Sequence, residues 1–559
     1  MTGVKFAVYV TAATLGKRGV DLPPLGSNVV PARSLHRLLA LAFVLLLAVG
    51  CSRGGGESPK TAAPTHQSDP AVVQTADGTL RGIVAPDHRL FAGIPYAAPP
   101  IGPLRWQPPD PAAPWQGVRD ATRVGPRCLQ DPGGDLELGR QTDEDCLTLN
   151  VWTPPVDPSR GQRPVMVWIH GGSFVNGSGG IYDSRWLAAR GDMVVVTVNY
   201  RLGATGFLAH PALGPAGDVG NYGLADQQAA LRWVRDNIAD FGGDPAKVTL
   251  AGESAGGISV CDHLVAPDSA GLFRAAIIQS APCQAQLALP AAEKSSLDYA
   301  ATVGCADPQS AAQCLRALPA GKLRDPVWYF KIGDDALSGP VTDTRSLPVD
   351  PMAAFADGRS ARVPVLIGTN HDEFTLFVAL QYLRLGREYT TDQYPQLLRE
   401  TFGDYAAAVE EHYPLQRYSS VPLAYSAAVT DGVFACVSDR MAKAMARTQP
   451  VYAYEFNDRN APTSEPMRTL PFPVGASHSL ELRYLFDIGD AQPLNAAQQV
   501  LSDQMIDYWA HFVHTADPGS QWPAFGPDEK RLSFQSDGSR VTTDYDKTHQ
   551  CAFWASLKG

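Results

Sequence analysis

The chain has 559 residues, and 46 Lys and Arg against 57 Asp and Glu give it a formal net charge of −11. That acidic balance argues against a nucleic-acid partner, whose phosphates require a basic face. Hydrophobic residues make up 45% and charged residues 18%, which is the composition of a globular chain rather than a disordered one.

The first element is an apolar run over residues 38–50, preceded by Arg33, His36 and Arg37 and ended by Cys51. As a helix such a run rises about 20 Å, short of the roughly 30 Å hydrocarbon core, so it reads as the h-region of a secretory signal rather than a span. Ala48-Val49-Gly50-Cys51 resembles a bacterial lipobox, in which Cys51 becomes the lipidated first residue of the mature protein. The alternative is an ordinary signal peptide or a weak anchor with Cys51 incidental. Residues 52–70 are polar and rich in Gly and Pro, a flexible tether. We therefore expect a leader over 1–51, a tether over 52–70 and one domain over 71–559. The expected location is extracytoplasmic, as a cell-envelope lipoprotein or else secreted, with membrane contact only through the lipid anchor.

Within the body, short apolar and β-branched runs at 165–169, 193–198, 248–251, 275–279, 363–368 and 451–456 are candidate strands. Runs apolar on successive residues suit strands covered on both faces. Residues 224–241 carry apolar positions at helical spacing and stop at Gly242-Gly243. Strand, helix and strand in this order predict an α/β fold with a parallel or mixed sheet.

Gly252-Glu253-Ser254-Ala255-Gly256 follows the strand at 248–251 and opens a helical pattern. The pattern G-x-S-x-G is weak alone, but a strand-to-helix turn between glycines lifts a serine above the sheet, where a base can activate it. An ordinary Gly-rich βα turn is the competing reading. His170-Gly171-Gly172-Ser173-Phe174 follows an earlier strand and offers backbone N–H groups at close approach, as an oxyanion requires.

With those two elements in place the chain resembles the type-B carboxylesterases, the α/β-hydrolase family that includes the cholinesterases and bacterial carboxylesterases. Phe91-Ala92-Gly93-Ile94-Pro95-Tyr96-Ala97, Leu104-Arg105-Trp106 and Glu144-Asp145-Cys146-Leu147-Thr148-Leu149-Asn150-Val151-Trp152 match its opening blocks. Asn199-Tyr200-Arg201-Leu202-Gly203, Asn221-Tyr222-Gly223-Leu224-Ala225-Asp226-Gln227 and Ile278-Gln279-Ser280 follow in family order. The resemblance implies an α/β-hydrolase fold, a large, mostly parallel central sheet flanked by helices. It implies Ser254 as nucleophile, Glu373 in Gly368-Thr369-Asn370-His371-Asp372-Glu373 as the acid, and His478 as general base. It further implies oxyanion donors at the N–H groups of Gly172, Ser173 and Ala255, with Glu253 supporting the site and Ser280 steadying the acid.

Asp372 is the rival acid, and His371, His511 and His514 are read as loop or packing residues. Three positions depart from the family: Ser173 replaces a Gly of the oxyanion loop, Phe374 the Gly after the acid, and Ser479 the Gly after the histidine. These put pocket shape and loop conformation in question without removing a catalytic group.

Nine cysteines beside a secretion signal suit an oxidising compartment. By resemblance Cys128 pairs with Cys146, Cys305 with Cys314 and Cys436 with Cys551. Cys261 and Cys283 either pair with each other or stay as thiols. No zinc spacing, phosphate loop or dinucleotide fingerprint is present in the sequence, so neither metal nor cofactor is expected.

The expected reaction is hydrolysis of a small-molecule ester. Between Cys128 and Cys146 there is no Trp, Tyr or Phe, whereas the cholinesterase branch carries an indole there for cation–π binding of choline. A neutral, moderately apolar ester is therefore favoured. A lipase acting on longer acylglycerols and a catalytically silent surface-binding module are the alternatives, and oligomeric state is open.

Overall fold

The computed structural model describes residues 69–131, 141–332, 335–489 and 491–557. The leader, Cys51 and nearly all of the tether lie outside the described residues, as does the segment 132–140 within the Cys128–Cys146 loop.

An eleven-stranded sheet organises the described chain. Its strands are β1 (Ile83–Val84), β2 (Arg89–Pro95), β3 (Thr148–Thr153), β4 (Arg163–Ile169), β5 (Val194–Val198) and β6 (Gly243–Glu253). They are followed by β7 (Ala275–Gln279), β8 (Val365–Asn370), β9 (Val451–Phe456), β10 (Arg531–Phe534) and β11 (Arg540–Thr542). The spatial order is β11-β10-β9-β8-β7-β6-β4-β5-β3-β2-β1. From β5 to β10 every pairing is parallel, while both edges are antiparallel. The carboxyl ends of β4, β6, β7, β8 and β9 therefore open on one edge of the sheet, where open α/β folds place their ligands.

Residue alternation along the central strands divides the core. On β4, Val165, Val167 and Ile169 join one apolar cluster while Met166 and Trp168 join another on the opposite face. Helix α1 (Tyr222–Asn237) contributes Leu231 and Val234 to the first cluster, and α2 (Ala255–His263) contributes Ile258. Helix α3 (Thr375–Leu385) follows the acid loop; α4 (Val421–Val429) and α5 (Cys436–Met445) are joined by a π-helical turn over Thr430–Ala435. Helix α6 (Ala496–Thr515) packs Met505, Trp509 and Phe512 into the second cluster. A third cluster, with Phe374, Tyr425, Phe434 and Trp554, lies among the helices. Each large side chain buried this way contributes about 1.5–3 kcal/mol.

Several family blocks hold the fold rather than the chemistry. Arg105 donates to both oxygens of buried Glu144 at 2.6 and 2.6 Å, tying the first block to the second. Arg201 and Asp226 form a buried two-armed ion pair at 2.7 and 2.7 Å between the next two. Cys128–Cys146, Cys305–Cys314 and Cys436–Cys551 are bonded. The pair that the sequence leaves open, Cys261 and Cys283, is bonded too, fastening α2 to the segment after β7.

Candidate active site

Strand β6 ends at Glu253, and Ser254 turns the chain into α2 with φ 56° and ψ −124°, a region that side chains rarely adopt. Two bonds lock that conformation: the Ser254 N–H donates to the Gln279 carbonyl at 2.9 Å, and its own carbonyl accepts from Ile258 N–H at 2.9 Å. A Cβ on Gly256 would stand 2.0 Å from the Ile169 carbonyl oxygen, so only glycine lets α2 start this close to the end of β4. Ala255 is the first residue of α2, where backbone N–H groups have no partner within the helix and favour negative charge.

The loop after β4 comes against the same turn. A Cβ on Gly171 would lie 2.9 Å from Ser254 Cβ and 2.8 Å from Glu253 Oε2. Gly172, Ser173 and Phe174 all have positive φ, in a turn closed by Val175 and Asn176 N–H donating to the Gly172 carbonyl at 2.9 and 3.0 Å. Among the described residues no group takes up the N–H of Gly172 or Ser173. His170 is buried against Tyr200, with Nδ1 2.8 Å from the Gly171 carbonyl; burial pulls its pKa down to about 4 and keeps it neutral.

The acid and histidine loops meet at Glu373. His478 Nδ1 lies 2.6 Å from Glu373 Oε2, the His478 N–H donates to the Glu373 carbonyl at 3.2 Å, and Asn370 N–H donates to Glu373 Oε1 at 2.7 Å. Because a carboxylate only accepts, Nδ1 carries a proton and Nε2 is the nitrogen left for chemistry. Nε2 is buried and comes within 3.2 Å of Glu253 Oε1, yet off the line of a hydrogen bond, so it has no hydrogen-bond partner among the described residues. No hydrogen bond joins it to Ser254. The rings of Phe377 and Phe434 flank the imidazole at 5.1 and 5.5 Å.

Asp372, the rival acid, is held elsewhere: Arg459 donates to it at 2.9 and 2.7 Å and Ala476 N–H at 2.9 Å. Its role is to brace the acid loop against the histidine loop. Ser280, expected to steady the acid, sits just after β7 with its N–H donating to the Gly368 carbonyl at 2.8 Å, at the head of the acid loop. Its hydroxyl is buried and has no hydrogen-bond partner among the described residues. Asn370 supplies the support, through its backbone. His371, expected as a surface loop residue, is half-buried with Nδ1 2.7 Å from Glu455. His511 and His514 contact backbone carbonyls of Asp517 and Gly191, far from the imidazole in role.

Sequence reasoning passed over Glu481, which is fully buried and accepts from Asn370 Nδ2 at 2.6 Å and Gln279 Nε2 at 3.1 Å. Its signal was its place three residues after His478, facing the same interior. Three buried glutamates thus surround one imidazole. Burial alone would lower the His478 pKa, but Glu253, Glu373 and Glu481 outweigh it and raise it to about 9. Burial and the neighbouring carboxylates raise Glu481 to about 8, and burial raises Glu253.

Among the described residues, Asp439, Asp546 and Cys551 have metal-like proximity, but Cys551 is spent in a disulfide. The other such set is His371, Glu455 and His549. Its atoms are already paired with one another and with Asp431, as a hydrogen-bonded ion cluster. A cavity of about 320 Å³ lies beside α5 and Trp554 and includes none of the residues around His478.

A strained strand-to-helix turn at Ser254, a glycine loop against it and a glutamate–histidine pair at the carboxyl edge of a parallel sheet define an α/β-hydrolase. The chain belongs to the carboxylesterase family, whose model matches residues 69–554. It is 36% identical to the fumonisin B1 esterase of Sphingopyxis macrogoltabida, over 92% of this chain and 95% of that protein. It is 34% identical to the cocaine esterase of Oryctolagus cuniculus, over 84% and 92%, and 33% identical to the acylcarnitine hydrolase of Mus musculus, over 89% and 92%. The protein is a serine carboxylic ester hydrolase, so the silent binding module is set aside.

Proposed function

We propose that Ser254 is the nucleophile, His478 the general base and Glu373 the carboxylate that orients it. Nε2 of His478 takes the Ser254 proton as Oγ attacks the ester carbonyl, and the N–H groups of Gly172, Ser173 and Ala255 receive the oxyanion. The imidazolium then protonates the leaving alcohol, and water activated by the same nitrogen releases the acid and restores Ser254. One observation carries this reading: His478 is clamped at Nδ1 by Glu373 while Nε2 has no hydrogen-bond partner among the described residues.

The substrate we infer is a neutral, moderately apolar ester. Aromatic rings and carboxylates face the imidazole, an environment that repels anions and receives apolar groups. Residues 71–559 act as one catalytic domain, with 1–51 a leader ending at a lipidated Cys51 and 52–70 a tether to the cell envelope. The four disulfides suit that compartment.

The test is Ser254→Ala assayed on a short p-nitrophenyl ester: turnover disappears while the far-ultraviolet spectrum is unchanged, and undiminished turnover refutes the assignment. A rate profile over acyl chains of increasing length separates this reading from a lipase. Intact-mass analysis of the membrane fraction tests for a diacylglyceryl group on Cys51.

A further inference from the structure

Ser479 is out of place on two counts. It follows His478 with φ 66°, a left-handed conformation that favours glycine, so the backbone is strained by its side chain. Yet its hydroxyl donates to Glu253 Oε1 at 2.6 Å, and that oxygen is the one 3.2 Å from His478 Nε2. Glu253 is 2% exposed, and its other oxygen lies against Gly171 of the loop after β4. Among the described residues, the Ser479 hydroxyl is the one hydrogen-bond donor this carboxylate has.

We propose that Ser479 is a positioning residue for the ester hydrolysis: its hydroxyl anchors the Glu253 carboxylate beside the working nitrogen of His478 and thereby sets the field on that nitrogen. The inference rests on His478 being the base. It extends that reading to a side chain which touches neither the imidazole nor the reacting atoms.

The physical argument has two steps. A hydrogen bond to a buried carboxylate favours its ionised form, and a carboxylate charge next to an imidazole favours the imidazolium. The groups bearing on His478 are Glu253 at the end of β6, Glu373 on the acid loop and Glu481 beyond Ser479. Those bearing on Glu253 are His478, Ser479 and Glu373. The phenols of Tyr182 and Tyr454 also feel its charge and stay neutral, because burial raises them. With Ser479 removed, Glu253 loses its donor and stays protonated to higher pH. The imidazole then loses part of its stabilising charge, and becomes a free base at lower pH.

The experiment is the pH dependence of kcat/KM for Ser479→Ala and Ser479→Gly, each alone and combined with Glu253→Gln. Both single variants should move the acid limb to lower pH by about half a unit, the scale of one hydrogen bond to a charged group shared between two sites. Alanine keeps the strained backbone and glycine relieves it, so equal shifts assign the effect to the hydroxyl. In the Glu253→Gln background no further shift is expected, since no charge remains to be tuned. Single-variant profiles that superimpose on that of the wild type overturn the proposal, and so does a shift that persists with Gln at 253 or appears only with glycine. Failure of the underlying base assignment reads out separately, as retained turnover in His478→Gln.

Discussion

Two histidines in this molecule occupy nearly the same environment and differ in one atom. His478 and His549 are both buried, both stand between carboxylates, and both are raised well above an ordinary imidazole, to about 9 and about 10, against burial that alone would lower them. His549 has both ring nitrogens committed, Nδ1 to Asp431 at 2.5 Å and Nε2 to Glu455 at 2.8 Å. Its partners are themselves engaged, Asp431 by Tyr413 at 2.7 Å and Glu455 by His371 at 2.7 Å. His478 is hydrogen-bonded at Nδ1, while its Nε2, 3.2 Å from Glu253, has no hydrogen-bond partner among the described residues. A fully satisfied network rigidifies, whereas one nitrogen without a partner is a site poised for a proton. Satisfaction, not composition or charge, separates the structural cluster from the chemical one.

The sharpest way to break that contrast is to exchange the consequences. His478→Gln should lower kcat on a p-nitrophenyl ester, per folded molecule, by about a thousandfold or more, because the proposed triad acts as a unit. A comparable loss of activity in His549→Ala, measured per folded molecule, would show that the two clusters are not functionally distinct.

His549→Ala should instead be read in stability. It leaves Asp431 and Glu455 buried without their shared cation, a change that costs about 3–5 kcal/mol. Urea unfolding followed by tryptophan fluorescence gives the figure, and an unchanged midpoint would mean the cluster is not a structural tie. Asp431 lies in the π-helical turn and Glu455 on β9, so the tie joins the C-terminal segment to the sheet.

The pH responses should run in opposite directions. His549 has a raised folded-state pKa, so its stabilisation is complete below the unfolded imidazole value near 6.5 and is lost as pH rises through about 10. As the proposed base His478 must lose its proton, so kcat/KM should rise with pH toward about 9. Between pH 7 and 10 the enzyme should become faster and less stable. A kcat/KM limb at the ordinary imidazole value would show that the three glutamates do not act on the base.

The same contrast explains what could be read from the sequence. The elbow at Ser254, the glycine loop at 170–174 and the two loops bearing Glu373 and His478 are contiguous motifs, because tight turns and close backbone approach are local requirements. The strands at 275–279 and 451–456 are legible for the same reason, as unbroken apolar runs, and both match β7 and β9 residue for residue. The strands β1, β10 and β11 escape, being only two, four and three residues long, with pairing decided by the neighbouring strand. The His549 cluster escapes entirely. Asp431 and His549 are 118 residues apart, and no local pattern marks either as the other's partner.

The smallest expected effect tests whether the third glutamate belongs to the open cluster or only encloses it. Glu481 is raised to about 8, by burial first and then by Glu253 and Glu373, so near pH 7 it is mostly protonated and adds little charge to His478. Glu481→Gln then replaces one neutral group by another of the same shape. Its cost is the rearrangement of bonds to Asn370 and Gln279, roughly two- to tenfold in kcat/KM. Above pH 8 the wild-type carboxylate ionises and holds the imidazole protonated, which the amide does not do, so the variant's profile should reach its plateau at lower pH. If the two profiles stay parallel across pH 6 to 10, Glu481 carries no charge at any working pH, and His478 answers to Glu253 and Glu373 alone.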